Sequence, residues 1–352
     1  MRERDLDVHD VLQVAETGNL PAGGRIDELL AAAHARALGH HEGAVADYIP
    51  ILAGVDPELF GVSVVGVDGV AHDIGDSGVR FSIQSISKAF VYALLCEALG
   101  HEEVFDIVGV NNTGSAFNSI VAIELNEGHP GNPMVNAGAI ATTALMPGDT
   151  AEEKWAGIAS GLSRFAGRRL EVDEEVYRSE SETNHRNRAI AQLLGSYGRI
   201  RFDPSAVVDV YTRQCALLVD AHDLAVMAAT LADGGVNPET RERVVSAEVC
   251  RDTLAVLASS GLYERSGEWL FEIGLPGKSG VAGGLVTVAP GKVGIGAFAP
   301  RLDEAGNSVR GQIATAYLSR ALGLNIFASA ARPAPPQPET TAASAHPTGA
   351  RA

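Results

Sequence analysis

Phe81-Ser-Ile-Gln-Ser-Ile-Ser-Lys88 is the stretch on which the reading of this chain turns. It lies where a short extended run, around Arg80 to Gln84, gives way to a long apolar helix expected over Ser85 to Leu99 and closed by Gly100. Ser85 then falls in the first helical turn, with Lys88 three residues later on the same face. A serine hydroxyl is a weak nucleophile until a base stands within hydrogen-bond reach. A lysine amine serves as that base when burial and the positive end of a helix depress its pKa. Taken alone, Ser-x-x-Lys reads equally well as a helix cap followed by a solvated lysine.

The lysine count narrows that choice. Of 27 basic residues only Lys88, Lys154, Lys278 and Lys292 are lysines, so a drift towards arginine has spared few of them. Lys278 stands in Leu275-Pro-Gly-Lys-Ser-Gly-Val-Ala-Gly-Gly284, where Lys-Ser-Gly opens a glycine-rich strand. Glycines there let a substrate approach the backbone edge, and the N–H near Val281 is placed to help hold an oxyanion. Ser-x-x-Lys at a strand-to-helix turn, followed much later by Lys-Ser-Gly on a strand, is the layout of the serine β-lactamase and penicillin-binding fold.

Further from the serine, three segments carry polar groups of complementary kinds. Asn132-Pro-Met-Val-Asn-Ala-Gly-Ala-Ile140 sets Asn136 in a tight loop entering a helix. Glu180-Ser-Glu-Thr-Asn-His-Arg-Asn-Arg-Ala189 puts Glu180 and Asn187 at the mouth of another, and Tyr211-Thr-Arg-Gln-Cys215 begins a third. Each reads singly as a cap or a solvated loop residue. Together they are the amide, carboxylate and phenol groups that suit a small zwitterion.

Around these segments the pattern predicts a fold of the α/β class, α+β in type. Residues 6–40 read as helical, with a break at Asn19-Leu-Pro-Ala-Gly-Gly24. Gly61 to Val67 and Val70 to Gly75 form a hairpin about Asp68-Gly69. Residues 105–260 are mainly helical. Phe271 to Leu275 reads as extended, Val281 to Ala289 and Val293 to Phe298 as strands about Pro290-Gly-Lys292, and Ser308 as the cap of a last helix through about Gly323. The expectation is an antiparallel sheet drawn from both chain ends, about 55–84 and 270–300, flanked by helices, with a helical subdomain over about 100–260. Residues 1–20 read as a helical extension, 21–327 as one catalytic domain, and the Ala/Pro-rich 328–352 as a disordered tail.

Composition excludes several functions. The net charge of −17 disfavours nucleic acid and anionic membranes. Three cysteines without a CxxC pair make no disulfide framework, and the histidines show no metal-ligand spacing. The start has no apolar h-region and no 18-residue apolar run occurs, so a cytoplasmic protein without cofactor or metal is expected.

The chain resembles the glutaminase family, serine-dependent amidohydrolases on the β-lactamase-like fold. The likeness runs in order from Asp47-Tyr-Ile-Pro-Ile-Leu52 through Gln84-Ser-Ile-Ser-Lys88, Asn118-Ser119, Asn132 to Ile140, Glu180 to Asn187, Tyr211 to Cys215 and Leu275 to Gly284, ending at Asn325-Ile-Phe327. The resemblance implies Ser85 as nucleophile, Lys88 as its dyad partner and Tyr263 as a proton-moving group. It implies Tyr48, Ser85, Asn136, Glu180, Asn187, Tyr211, Tyr263 and Val281 as the set that binds L-glutamine, and a homodimer or homotetramer. A penicillin-interactive hydrolase on the same fold is the runner-up. It is disfavoured because Ser196-Tyr-Gly198 lacks the Asn of a Ser-Asp-Asn element and Ala122 stands where a Glu should precede Leu125-Asn126. A non-catalytic amino-acid-binding module, the third reading, would be expected to have lost Ser85 or Lys88.

Overall fold

Six consecutive buried residues at Gly61–Gly66 (β1) and an alternating exposed edge at Ala71–Gly75 (β2) give the first hairpin of the chain. The computed structural model describes residues 10–11 and 20–329. After β2 come Phe81–Ser82 (β3), Leu218–Val219 (β4), Gly277–Ser279 (β5), Gly284–Ala289 (β6) and Val293–Phe298 (β7). Five of these form one antiparallel sheet in the order β2-β1-β7-β6-β5. The join between the chain ends is the β1–β7 ladder, from Gly61 opposite Phe298 to Gly66 opposite Val293. The sheet expected from both ends of the chain is therefore present.

Side-chain alternation assigns its two faces. Val62, Val64, Leu285, Ile295 and Ala297 pack under the helices Gly23–Leu38 and Val309–Ala321. Val65 and the glycines of β7 face the Ala221–Ala232 helix on the other side. That helix lies unusually close. A Cβ at Gly296 would stand 2.0 Å from Ala221 O, and one at Gly294 would stand 2.2 Å from Ala225 O. Small residues on both partners permit this approach, which fixes the depth of the helix against the sheet.

Beyond that helix lies the helical block. Its centre is the Ser87–Leu99 helix, buried on every side from Ser87 to Cys96 and surrounded by Asn136–Leu145, Ala151–Ala166 and Ala247–Ser260. An all-round apolar helix belongs in an interior, as its sequence indicates. Among the described residues, no helix is long and apolar enough to cross a membrane.

Four expectations need correction. The run near Arg80–Gln84 does not join the main sheet; Phe81–Ser82 pairs with Leu218–Val219 in a separate ladder that ties the chain leading to Ser85 to the helical block. Phe271 to Leu275 is not extended. The helix Ser266–Glu272 covers its start, because Trp269 and Ile273 are buried four residues apart while Phe271 is 84% exposed. The strand expected from Val281 begins at Gly284, and Lys278-Ser279 sits on its own strand, β5. The last helix ends at Ala321 rather than Gly323, with Ser308 Oγ accepting from Gly311 N–H at 3.3 Å as its cap. The extension over 1–20 and the tail over 328–352 lie almost wholly outside the described residues.

Candidate active site

β3 ends in a tight 3-10 turn, Gln84–Ile86, before the Ser87–Leu99 helix starts. Ser85 thus sits in the turn ahead of the helix rather than in its first α-helical turn. Gln84 carries φ +52°, a left-handed conformation that costs a non-glycine residue roughly 1–3 kcal/mol and is held only where the surroundings impose it. Ser82 Oγ accepts from Gln84 Nε2 at 3.0 Å, and the same amide donates to the Glu180 carboxylate. The kink delivers Ser85 to the floor of a cleft of about 810 Å3.

Tyr48, Ser85, Asn136, Glu180, Asn187, Tyr211 and Val281 all line that cleft. Asn136 heads its helix as expected. Asn187 lies in the first turn of the His185–Ser196 helix. Glu180 and Tyr211 differ from expectation, because both stand in the last turns of their helices, Glu174–Thr183 and Pro204–Cys215. Tyr48 is 59% exposed at the rim, on an irregular segment. Ser196, the nearest approach to a Ser-Asp-Asn element, donates to Leu193 O at a helix end and does not line the cleft.

Lys88, Lys278 and Tyr263 are buried behind this lining. Lys88 Nζ donates to Asn136 Oδ1 at 2.6 Å and to Met134 O at 3.2 Å, and Asn136 Nδ2 passes the network on to Asn187 Oδ1 at 2.8 Å. Among the described residues no carboxylate pairs with this ammonium, and burial brings its pKa down to about 7. Its two hydrogen bonds go to Asn136 and Met134 and do not include Ser85. Tyr263 also holds a left-handed φ of +57°, and its hydroxyl donates to Ser279 O at 3.2 Å. Burial pushes the phenol pKa up, and Ser85 opposes that shift. Lys278 Nζ lies 4.1 Å from the Tyr263 ring centroid, and burial followed by repulsion from Lys88 holds it well below the usual lysine range.

Glu180 is pushed up to about 7 by burial, against which the Gln84 amide stabilises the charged form. Burial raises the Tyr211 phenol well above its usual range, with Cys215 and then Glu180 adding repulsion of the phenolate. Among the described residues, neither the Ser85 nor the Val281 backbone N–H donates to a protein acceptor. Two unengaged donors beside a serine are what an oxyanion requires. Among the described residues no group of three metal-ligating side chains forms.

Gln84 is the residue that reading the sequence passed over. It stands beside Ser85 in the opening motif, yet its partner Glu180 lies 96 positions away, so no local pattern marks it.

Comparison with known proteins follows the same lines. The family model described as Glutaminase matches residues 43–327. The chain is 53% identical to Glutaminase 2 of Yersinia pestis over 319 residues, covering 91% of this chain and 94% of that protein. Among solved structures it resembles the probable glutaminase ybaS, with a TM-score of 0.86 and 44% identity over 88% of this chain and 100% of that one. It also resembles Mglu in its tris and glutamate form, with a TM-score of 0.83 and 42% identity over 87% of this chain and 68% of that one.

Proposed function

The chain belongs to the glutaminase family, and from that membership we propose that it hydrolyses the side-chain amide of L-glutamine to L-glutamate and ammonia through a Ser85 acyl-enzyme. The observation that carries the mechanism is a buried amine without a carboxylate partner among the described residues, Lys88, three residues from a cleft serine flanked by unengaged backbone donors.

In the first half-reaction Ser85 Oγ attacks the amide carbon and its proton passes to Lys88, neutral in a useful fraction near pH 7. The tetrahedral oxyanion rests on the N–H groups of Ser85 and Val281. The C–N bond breaks as the leaving nitrogen takes up a proton through Lys88 or Tyr263, and ammonia departs. Water then attacks the ester carbon, gives its proton to the same relay and releases glutamate, and Ser85 recovers its proton. Recognition is assigned to Glu180 for the α-ammonium and to Asn136, Asn187 and Tyr211 for the α-carboxylate, with Tyr48 over the rim. That Mglu has been captured with glutamate supports a cleft of this size taking the product. We further propose a cytoplasmic homodimer or homotetramer working without metal or cofactor.

Ammonia release from L-glutamine, L-asparagine and D-glutamine, run beside nitrocefin hydrolysis, tests the reading. Rapid turnover of L-glutamine with nitrocefin inert is expected. Nitrocefin hydrolysis without ammonia from glutamine would move the protein to the penicillin-interactive class.

A further inference from the structure

The rim of the cleft from Glu42 to Ile49 contains no helix, and among the described residues its one strand-like contact is a single bridge. Ala44 N–H donates to Leu302 O at 3.1 Å and Leu302 N–H to Ala44 O at 2.9 Å. Ala46 and Ile49 anchor the far half of the segment by burial in the core. The near half, from Glu42 to Val45, has the one bridge, and its further hold lies in the polar contacts around it.

Arg310 supplies several of these. It is 1% exposed, the largest fully buried side chain, and lies in the first turn of the Val309–Ala321 helix. A cation there is doubly disfavoured, by loss of water and by the positive end of the helix. Its hydrogen bonds go to residues 40–58, and none goes to its own helix. Nε donates to His40 O at 2.8 Å, Nη1 to Glu58 O at 2.9 Å, and Nη2 to Glu58 Oε2 at 2.7 Å, with His41 Nδ1 at 3.0 Å. Arg301 completes the clasp from the other side, with Nη2 on Glu58 Oε1 at 2.8 Å and Nη1 on Gly43 O at 3.2 Å. The two guanidinium groups draw the Glu58 carboxyl down to about 2, so it remains charged throughout the working range. Gly43 lies inside the clasp with φ +85°, where a Cβ would stand 2.3 Å from Leu302 O. The chain on both sides of the rim's start is therefore pinned to the C-terminal helix and its approach.

We propose that Arg310, Glu58 and Arg301 form a clasp that positions the Glu42 to Ile49 rim, and through it Tyr48, so that residues outside the cleft set the affinity for glutamine. These are positioning residues. The proposal rests on the reading of the cleft given above.

Steady-state ammonia release by the full chain tests it, with Glu58→Gln, Arg310→Lys, Tyr48→Ala and the Glu58→Gln/Tyr48→Ala pair. Glu58→Gln and Arg310→Lys should each raise KM about fivefold or more while kcat stays within about twofold, the split expected when ground-state positioning is lost. The paired variant should be no worse in KM than Tyr48→Ala alone, because the clasp acts through the residue already removed. If Arg310→Lys does not fold, Glu58→Gln carries the test, since that side chain is half-exposed. A wild-type KM in Glu58→Gln, or multiplying effects in the pair, overturns the clasp. Absence of ammonia release by the wild type would instead overturn the reading of the cleft.

Discussion

Lys88 and Glu180 are both moved towards pH 7 by burial, one down from the lysine range and the other up from the carboxylate range. The consequences for rate share a sign. In the proposed mechanism Lys88 takes the serine proton only when neutral, above about 7, and Glu180 pairs with the α-ammonium only when ionised, also above about 7. The logarithm of kcat/KM should climb with pH through this region with a slope approaching about two, since it reports free-enzyme ionisations. Glu180→Gln removes one of them and should leave a slope of about one; an unchanged slope would take Glu180 out of the titration. The same variant should lose roughly 10- to 150-fold in kcat/KM, the loss of a charge-assisted hydrogen bond of about 1.5–3 kcal/mol. It should also discriminate less against analogues lacking the α-amino group. Ser85→Ala is expected to abolish turnover while glutamine still binds, and Lys88→Ala to lower kcat by at least ~10². More than a few per cent of activity in Ser85→Ala would make water the nucleophile.

The hairpin about Asp68-Gly69 and the strands about Pro290-Gly-Lys292 were legible because turn chemistry is local and sits in adjacent residues. Glycines of β7 were legible only as glycines; that they make room for Ala221 O and Ala225 O depends on a helix some seventy residues earlier. Gly296→Ala therefore tests the packing directly. A new Cβ cannot be accommodated 2.0 Å from a backbone oxygen, so helix or strand must shift, at about 1–3 kcal/mol for overpacking. Thermal unfolding should show a clear fall in Tm, and an unchanged Tm would mean that the helix rides higher on the sheet. Misread elements share a cause. Phe271 to Leu275 shows apolar residues two apart, which suits a strand, but burial of Trp269 and Ile273 selects the four-residue spacing. Glu180 and Tyr211 were expected in the site and both line the cleft, yet they stand in the last turns of their helices rather than the first, since polar groups flank either end. Gln84 and Arg310 gave no signal at all, because their partners Glu180 and Glu58 lie 96 and 252 positions away.

At the scale of the whole molecule the charge of −17 and the chemistry of the reaction meet. Formal counting overstates the positive side, because Lys88 and Lys278 are buried and held below the usual lysine range. L-glutamine is a zwitterion without net charge, whereas L-glutamate carries one negative charge. Both would share the contacts of the cleft, so a difference in their response to salt isolates the long-range field. That field reaches about 30 Å at 0.01 M ionic strength and about 8 Å at 0.15 M. At low salt it should repel the anionic product and leave the neutral substrate largely alone. Raising sodium chloride across this range should therefore tighten glutamate inhibition several-fold while KM for glutamine moves much less. Repeating the measurement in potassium chloride separates screening, which is common to both salts, from a bound cation. Equal shifts in the inhibition constant and KM would place the effect of salt on the contacts that substrate and product share, and would remove the global charge from any part in product release.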